Sequence, residues 1–335
     1  MHNSDSAPQQ DKAGLSLALQ GGGALGAFTW GVLDAVLEAG VEVSAVSGAS
    51  AGAVNAVVLA QGLMEGGAEG ARERLARFWR RVSNAFPLSG APAGGATLAA
   101  LQASMQWMSP AQLNPLRIDP LKEILNDEVD FPALRGHSPV ELIISATRVR
   151  DGRARIFRTA ELTVETVMAS ACLPLLNHSV EIDGEWYWDG GYSANPPLRE
   201  LAWANPGRDI LLIDLMASGP ARPPKRVREI ERRVHEIALT ASLHRELDAL
   251  DDLISLGHDG EGPFAGMAAM RLHRISAGQV ADGVSFADAL NADWDALSRL
   301  KDAGRQAGQR WLGGGAAKAP PRERLPAGRR RRREA

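Results

Sequence analysis

The sequence lacks several features that mark common protein classes. A single cysteine, Cys172, occurs among the 335 residues, so no internal disulfide can form and a disulfide-stabilised fold is excluded. No run of about 18 or more apolar residues occurs, so no membrane-spanning helix is expected. The first residues are polar, without the charged and then apolar segments of a secretory signal. We therefore expect a soluble protein in the reducing cytoplasm.

Neither sign of charge dominates the chain, but the charges are unevenly distributed. Lys plus Arg total 37 and Asp plus Glu total 40, which gives a net charge of -3. Residues 313–335 hold eight basic and two acidic residues, a charge of +6, so the rest of the chain carries -9. A nucleic-acid-binding domain carries its basic residues on a folded face, which this acidic body does not offer. No nucleic acid is expected as a partner.

Composition and periodicity divide the chain into three parts. Residues 1–13 are polar and predict a flexible leader. Residues 14–312 predict one large domain, with the sequence motifs in 14–216 and a helical C-terminal part in 225–312. The basic segment 313–335 is of low complexity, and we expect it to be disordered.

The first part of this domain alternates strands with helices. A short apolar strand at 15–19 runs into a glycine-rich loop, and a helix is predicted at 27–39. A second strand at 41–46 runs into a tight turn and a mostly buried helix at 53–64. Such alternation predicts a mainly parallel central sheet with helices on both faces, a three-layer α/β/α fold.

Later segments predict strands and two long helices. Alternating residues indicate strands at 141–148 and 153–158. A hairpin follows, in which Val180 and Ile182 are expected to face Trp186 and Trp188 across an Asp-Gly turn. The remaining predicted elements are a strand at 209–216, an amphipathic helix with an apolar stripe from Val227 to Ile254, a strand at 271–275 and a helix at 285–311.

The first glycine loop has two interpretations. Gly21, Gly23 and Gly26 match the G-x-G-x-x-G fingerprint of dinucleotide-binding proteins, between a strand and a helix. That site needs an acidic residue at the carboxyl end of the second strand, where it reaches the ribose. Glu42 lies at the beginning of that strand, so a dinucleotide-binding protein is the weaker alternative.

The second glycine turn has the pattern of a nucleophile elbow. Gly48-x-Ser50-x-Gly52 lies between a strand and a helix, and only tiny neighbours permit the sharp turn that exposes such a serine. In a parallel sheet the loop at 21–23 emerges beside Ser50, where its backbone N–H groups can stabilise an oxyanion. The alternative is that both segments are ordinary tight turns.

A base for Ser50 has two candidate sources. An α/β-hydrolase arrangement would use an aspartate and a later histidine, such as Asp214 and His273, but Ser50 follows only the second strand. The other candidate is Asp189, which ends a hairpin strand and is followed by two glycines. Neighbouring tryptophans are expected to exclude water and raise its pKa, which suits a general base.

Three motifs, taken together and in this order, resemble the signatures of the patatin-like phospholipase family: Gly21-Gly22-Gly23-x-x-Gly26, Gly48-x-Ser50-x-Gly52 and Asp189-Gly190-Gly191. Asn195-x-Pro197 and the segment 169–174 are also similar to bacterial members. The resemblance covers about residues 14–216 and rests on the combination of motifs, which is far more specific than any one of them.

The resemblance implies a Ser50–Asp189 dyad without a catalytic histidine. It also implies an oxyanion hole at residues 21–23 and hydrolysis of fatty acyl esters of phospholipids or lysophospholipids through an acyl-serine intermediate. No cofactor or metal is implied. An acyltransferase or transacylase would use the same site, and a lipid-binding scaffold with an inactive dyad is the alternative from another class.

Three features remain open beside this resemblance. Many family members carry a basic residue where this chain has Leu25, which weakens the expectation of an anionic headgroup; Cys172 is expected to be a core residue. Segment 87–117 predicts either a core-covering helix and loop or an apolar flap over a lipid site. The five arginines at 329–333 predict either a solvated tail or a weak tether to anionic membrane.

Overall fold

The structure is a computed structural model that describes residues 14–85, 109–216, 223–257, 264–278 and 292–314. The predicted leader lies outside these residues, as do most of the segment at 87–117 and all but the first two residues of the predicted tail. The described strands form one eight-stranded sheet, and helices flank it.

The strands, in chain order, are β1 (Leu15–Leu19), β2 (Val43–Gly48), β3 (Glu141–Arg148), β4 (Ala154–Arg158), β5 (Val180–Ile182), β6 (Glu185–Asp189), β7 (Ile210–Asp214) and β8 (Leu272–Ser276). The α-helices are α1 (Gly26–Glu38), α2 (Ala51–Ala85), α3 (Pro110–Leu113), α4 (Pro120–Glu128), α5 (Phe131–His137), α6 (Val164–Ser170), α7 (Leu198–Ala204), α8 (Val227–Gly257) and α9 (Trp294–Gly313). Short 3₁₀ turns at Gly23–Leu25 and Gly190–Tyr192 precede α1 and follow β6.

The sheet has the order β5-β6-β3-β2-β1-β7-β8, with β4 paired to β3. The pairs β1–β2, β1–β7, β2–β3 and β7–β8 are parallel, whereas β4, β5 and β6 pair antiparallel to their neighbours. Leu19 lies opposite Gly48, so β1 and β2 end at the same edge of the sheet. The predicted α/β fold with a mainly parallel sheet is confirmed.

Both faces of the sheet are covered by apolar cores. Leu17 and Leu19 of β1 belong to a core shared with α1, α2 and α9, whereas Ala18 belongs to a second core shared with α7 and α8. Successive side chains of a strand point to opposite faces, so this division shows that helices lie on each side of the sheet. The result is the predicted three-layer arrangement.

The hairpin prediction was right about the strands and wrong about their register. Val180 pairs with Tyr187 and Ile182 pairs with Glu185, rather than with Trp188 and Trp186. The two-residue turn at Asp183 and Gly184 causes this pairing, because it joins the residues that flank it directly and fixes every pair beyond them.

Helix α8 was predicted as one amphipathic helix, and its two halves differ. Leu250 is completely buried against the sheet, but Val227 is 70% and Val234 62% exposed, so the predicted apolar stripe is covered only in the second half. The last described helix runs from Trp294 to Gly313, and residues 285–291 of the predicted helix lie outside the described residues. None of the described helices has the length and apolarity needed to cross a bilayer.

Helices α1 and α9 pack with their backbones in close contact. A Cβ atom on Gly304 would overlap the carbonyl oxygen of Phe28, and one on Gly31 would overlap the backbone of Lys301. Beside this contact, Asp34 of α1 accepts a hydrogen bond from Arg72 Nε at 2.8 Å and pairs with Arg305 of α9. The helix pair therefore combines glycine contacts with a compensated buried charge.

Candidate active site

Ser50 lies in the sharp turn between β2 and α2. Its φ of 53° is in the left-handed region, which is strained for a residue with a side chain and typical of functional turns. A Cβ on Gly48 would lie 2.6 Å from the backbone of Gly52, and one on Gly52 would overlap the Leu19 carbonyl oxygen. The glycines on either side of Ser50 are therefore required by packing, as the elbow pattern predicts.

The first glycine loop reaches the same edge of the sheet and contacts Ser50. A Cβ on Gly21 would lie 2.7 Å from the Ser50 Cβ and 2.9 Å from the Ala49 carbonyl oxygen. The structure thus brings the two predicted loops together. Gly26 is equally close to Ala51, since its Cβ would lie 2.9 Å from the Ala51 Cβ.

The three N–H groups of the loop at 21–23 are not equivalent. Gly21 N–H donates to the side-chain oxygen of Asn195 at 2.7 Å in a buried hydrogen bond. The N–H groups of Gly22 and Gly23 have no acceptor among the residues that the structure describes. Gly23 has a φ of 58°, a conformation that favours glycine. Two of the three predicted oxyanion donors are therefore available to a ligand.

Asp189 ends β6 and is only 1% exposed. Its Oδ1 accepts the Gly191 N–H at 2.7 Å, and its backbone N–H donates to the Cys172 carbonyl at 2.8 Å. Its Oδ2 is buried without a hydrogen-bond partner of normal geometry in the described part of the chain. Gly190 is needed beside it, because a Cβ there would overlap the Ser145 carbonyl oxygen.

Burial raises the pKa of Asp189 to about 6, although the Ser50 hydroxyl and the Gly191 N–H act in the opposite direction by donating toward the carboxylate. Within the described residues, no hydrogen bond of normal distance and angle reaches the Asp189 Oδ2 atom. A pKa near 6 leaves the carboxylate mostly ionised at neutral pH and more basic than a free aspartate. Of the two tryptophans expected to exclude water, Trp186 is 47% exposed and Trp188 is partly buried.

Two further side chains hold the site, and sequence reasoning assigned them no role. Ser170, at the end of α6, accepts the Ser50 N–H on its hydroxyl at 2.9 Å. Asn195 accepts from Gly21 and donates its amide to the Leu239 carbonyl of α8 at 3.1 Å. The signal for both was their place in the segments similar to bacterial family members; their contacts follow only from the folded chain.

The alternative catalytic pair is not brought together. His273 lies 3.1 Å from a carboxylate oxygen of Asp209, whereas Asp214 accepts a hydrogen bond from Arg274 at 2.9 Å. Glu42, the residue required by the dinucleotide alternative, immediately precedes β2, at the edge of the sheet opposite Ser50. Neither arrangement places its key residue beside the turn.

Leu25 and Cys172 are both buried, and the burial of Cys172 agrees with its predicted place in the core. Leu25 is 5% exposed and packs in the core shared by α1 and α2, so this position does not face a headgroup. Cys172 is buried, and its thiol donates to the His178 carbonyl at 3.2 Å. Burial and the nearby Asp189 charge raise the pKa of the Cys172 thiol to about 12, which makes it an inert core residue.

Other sites for ligands are not evident near this turn. The described residues contain no group of three or more His, Cys, Asp or Glu side chains placed to hold a metal ion. A cavity of about 600 Å³ opens elsewhere, between α2, α4 and α5. Its lining is polar and includes neither Ser50 nor Asp189. This cavity is therefore separate from the candidate active site.

Two solved structures are among those similar to this chain. VipD from Legionella pneumophila has a TM-score of 0.46 and 16% identity over 90% of this chain and 67% of that one. The ExoU–SpcU complex from the type III secretion system of Pseudomonas aeruginosa has a TM-score of 0.37 and 16% identity over 90% of this chain and 52% of that one.

This chain therefore spans about half to two thirds of the length of those chains. No curated protein sequence matches it. Residues 17–202, more than half of the chain, match the sequence profile of the family described as patatin-like phospholipase. That match includes all three glycine motifs, the elbow serine and Asp189, and by it the chain belongs to the patatin-like phospholipase family.

Proposed function

We propose that this protein hydrolyses fatty acyl esters of phospholipids or lysophospholipids with Ser50 as nucleophile and Asp189 as general base. Family membership supports a lipid hydrolase. The observation that carries the finer assignment is the meeting of three features at one edge of the sheet: a strained serine, a glycine loop in contact with it, and a buried carboxylate with a free oxygen.

The proposed reaction has two halves. Ser50 Oγ bonds to the acyl carbon while Asp189 takes its proton, and the proton passes to the leaving alcohol as the ester bond breaks. Water then attacks the acyl-serine, Asp189 accepts a proton from it, and this proton returns to Ser50 as the fatty acid leaves. The raised pKa of Asp189 favours each proton transfer at neutral pH.

We assign the oxyanion hole to Gly22 and Gly23. The N–H of Gly21 is already donated to Asn195, so its proposed role is to hold the loop against Ser50. Helix α2 starts at Ala51, and its positive N-terminal end adds to the stabilisation of developing negative charge. A hydrogen-bond donor in such a hole contributes about 3–4 kcal/mol to lowering the barrier.

The test replaces each member of the dyad. Ser50→Ala and Asp189→Asn are each expected to lower turnover of a short p-nitrophenyl acyl ester by about 10³-fold or more, with the fold retained. His273→Ala is the matched control and should keep its activity, because its ring pairs with Asp209. Full turnover in either dyad variant, or loss only in the histidine variant, would refute the assignment.

Product analysis on mixed phospholipids separates hydrolysis from acyl transfer. Free fatty acid and lysolipid as the main products would identify phospholipase A activity, and further deacylation would identify a lysophospholipase. A transacylase would use the same nucleophile, base and oxyanion hole and would differ only in the acyl acceptor. An acylated second lipid in place of free fatty acid would favour this activity. Stoichiometric labelling of Ser50 by an alkyl fluorophosphonate separates both from an inactive scaffold.

A further inference from the structure

Three large apolar side chains project into solvent from two neighbouring loops. Leu116 is 79% exposed, Ile118 61% and Leu175 60%. Arg117 is also exposed and stands between the first two. We call Leu116, Arg117, Ile118 and Leu175 the rim patch. Exposed apolar side chains beside a cation are typical of a surface that meets a partner.

The first loop of the rim patch is held in a fixed shape. Asn114 donates its side-chain amide to the Ile118 carbonyl at 2.8 Å and accepts the Ile118 N–H at 3.0 Å. Its carbonyl accepts the Arg117 N–H at 3.1 Å, and Arg117 adopts a φ of 53°. The hydrogen bonds of this turn therefore hold Leu116 and Ile118 in exposed positions. A surface that is already ordered loses less entropy on binding.

The rim patch is connected to the site by hydrogen bonds. The Asn114 carbonyl lies 2.8 Å from the His178 ring nitrogen, which joins the first loop to the loop that carries Leu175. The His178 carbonyl accepts from the Cys172 thiol at 3.2 Å, and the Cys172 carbonyl accepts the N–H of Asp189 at 2.8 Å. The loops that carry the patch are thus linked through backbone groups to Asp189, while the patch side chains themselves point to solvent.

We propose that the rim patch docks on the surface of an anionic phospholipid bilayer, with the three apolar side chains among the acyl chains and Arg117 at the phosphates. This inference rests on the proposed lipid substrate. Within the described part of the chain Arg117 makes no ion pair, so its charge is available to a lipid phosphate. Apolar tips beside a basic residue match the boundary between headgroups and acyl chains.

The size of the patch favours a lipid surface over a second copy of this chain. A stable protein interface takes about 20–30 residues from each partner, whereas the rim patch offers four side chains on two short loops. Insertion into a bilayer needs no complementary protein surface, because each apolar side chain gains by leaving water. A membrane is thus the occupant that this surface fits.

Vesicle flotation of the full chain tests the proposal. The Ser50→Ala protein, which cannot consume the vesicles, is compared with the same protein carrying Leu116→Ser and Ile118→Ser. On vesicles of phosphatidylcholine and phosphatidylserine in equal parts, the double change should weaken binding by about 10-fold or more. Arg117→Gln should weaken it by about 5-fold at low salt, and by much less on pure phosphatidylcholine.

Leu256→Ser is the matched control, since Leu256 is 46% exposed on the last turn of α8. It should leave vesicle binding unchanged. In the active enzyme, the double change should lower turnover on vesicles while turnover of the soluble p-nitrophenyl ester stays the same. Failure of the proposed function would appear separately, as absent turnover of the soluble ester by the unsubstituted enzyme.

Three results would overturn the docking proposal. One is equal vesicle binding with and without the rim substitutions, which would leave the basic segment at 313–335 or another surface as the attachment. Another is no vesicle binding by the Ser50→Ala protein at any salt concentration. The third is a dimer in sedimentation that the Leu116→Ser and Ile118→Ser changes dissociate, since the patch would then bind a second copy.

Discussion

The α1–α9 helix pair and the carboxyl edge of the sheet both rely on glycines where backbones meet. In the helix pair, Gly304 lies against Phe28, and at the proposed catalytic edge Gly21 lies against Ser50. Both regions also contain a buried aspartate. Both regions use glycines to bring backbones into contact. They differ in the hydrogen bonds and ion pairs that their buried aspartates make.

The two aspartates have opposite environments. Burial alone would raise the pKa of Asp34, but hydrogen bonds and charges from Arg72 and Arg305 outweigh it and hold the pKa below its usual range. Asp189 forms no ion pair with an arginine of the described segments, and burial raises its pKa to about 6. One carboxylate is compensated and supports the fold, whereas the other is kept partly unsatisfied in a way that suits proton transfer.

Among the substitutions that test this comparison, the largest expected effect is a loss of ester turnover. Gly21→Ala places a Cβ 2.7 Å from the Ser50 Cβ and 3.2 Å from the Asn195 oxygen, so the proposed oxyanion loop must shift. Turnover of a soluble ester should fall by about 10²–10³-fold, while the free energy of unfolding falls by only about 1–3 kcal/mol. Gly136→Ala, where an added Cβ meets nothing within 4 Å, is the control. Unchanged turnover in Gly21→Ala would contradict the proposed loop role.

The corresponding change in the helix pair should affect stability alone. Gly304→Ala forces a Cβ against the Phe28 carbonyl, and we expect the free energy of unfolding in urea to fall by about 2–3 kcal/mol. Turnover per folded molecule should remain the same. Gly313→Ala lies in the same helix with open space around it and should gain up to about 1 kcal/mol through helix propensity. Equal stability of these two variants would argue against the close packing of α1 and α9.

The smallest expected effects are changes in the free energy of unfolding when the two aspartates are replaced, and these changes have opposite signs. Asp189 is protonated below pH about 6 in the folded state but only below about 4 when unfolded, so its ionisation destabilises the fold at neutral pH. Asp189→Asn should therefore raise the free energy of unfolding by about 1–3 kcal/mol at pH about 7, and this gain should vanish as the pH falls toward about 4.

Asp34→Asn should do the opposite. The lowered pKa of Asp34 means that its carboxylate stabilises the fold above its unfolded pKa, and that this contribution is lost as the pH falls through its folded pKa. We expect a loss of about 1–3 kcal/mol at neutral pH that shrinks in acid. Urea unfolding of both variants from about pH 2 to about pH 8 measures the two signs, and the same sign for both would remove the distinction drawn between the regions.

Much of the fold could be predicted from local patterns, because the spacing of hydrophobic residues distinguishes strands from helices. The glycine motifs also predicted that the loop at 21–23 would meet Ser50, since parallel strands end at one edge. The hairpin register could not be predicted from the two tryptophans, because the two-residue turn, and not the aromatic side chains, determines which residues pair.

The supporting contacts of the site lay beyond sequence reasoning for a different reason. Ser170 and Asn195 act through single hydrogen bonds to backbone groups far away in the chain, and no spacing rule encodes such a pair. The uncovered half of α8 is a similar case, because an apolar stripe predicts a helix face but does not say whether anything covers it. The position of Leu25 in the core likewise depends on the packing of the 3₁₀ turn.

The long hydrogen bonds of the site also set the order in which it can form. Gly21 and Asn195 are 174 residues apart, and Ser50 and Ser170 are 120 apart. Contacts between such distant residues form only after the intervening chain has been made and folded. During synthesis the elbow serine therefore emerges long before the residues that hold it and its loop in place. Under the proposed function, a nascent chain carries the nucleophile without the rest of its site, so attack on lipid waits until the domain is complete.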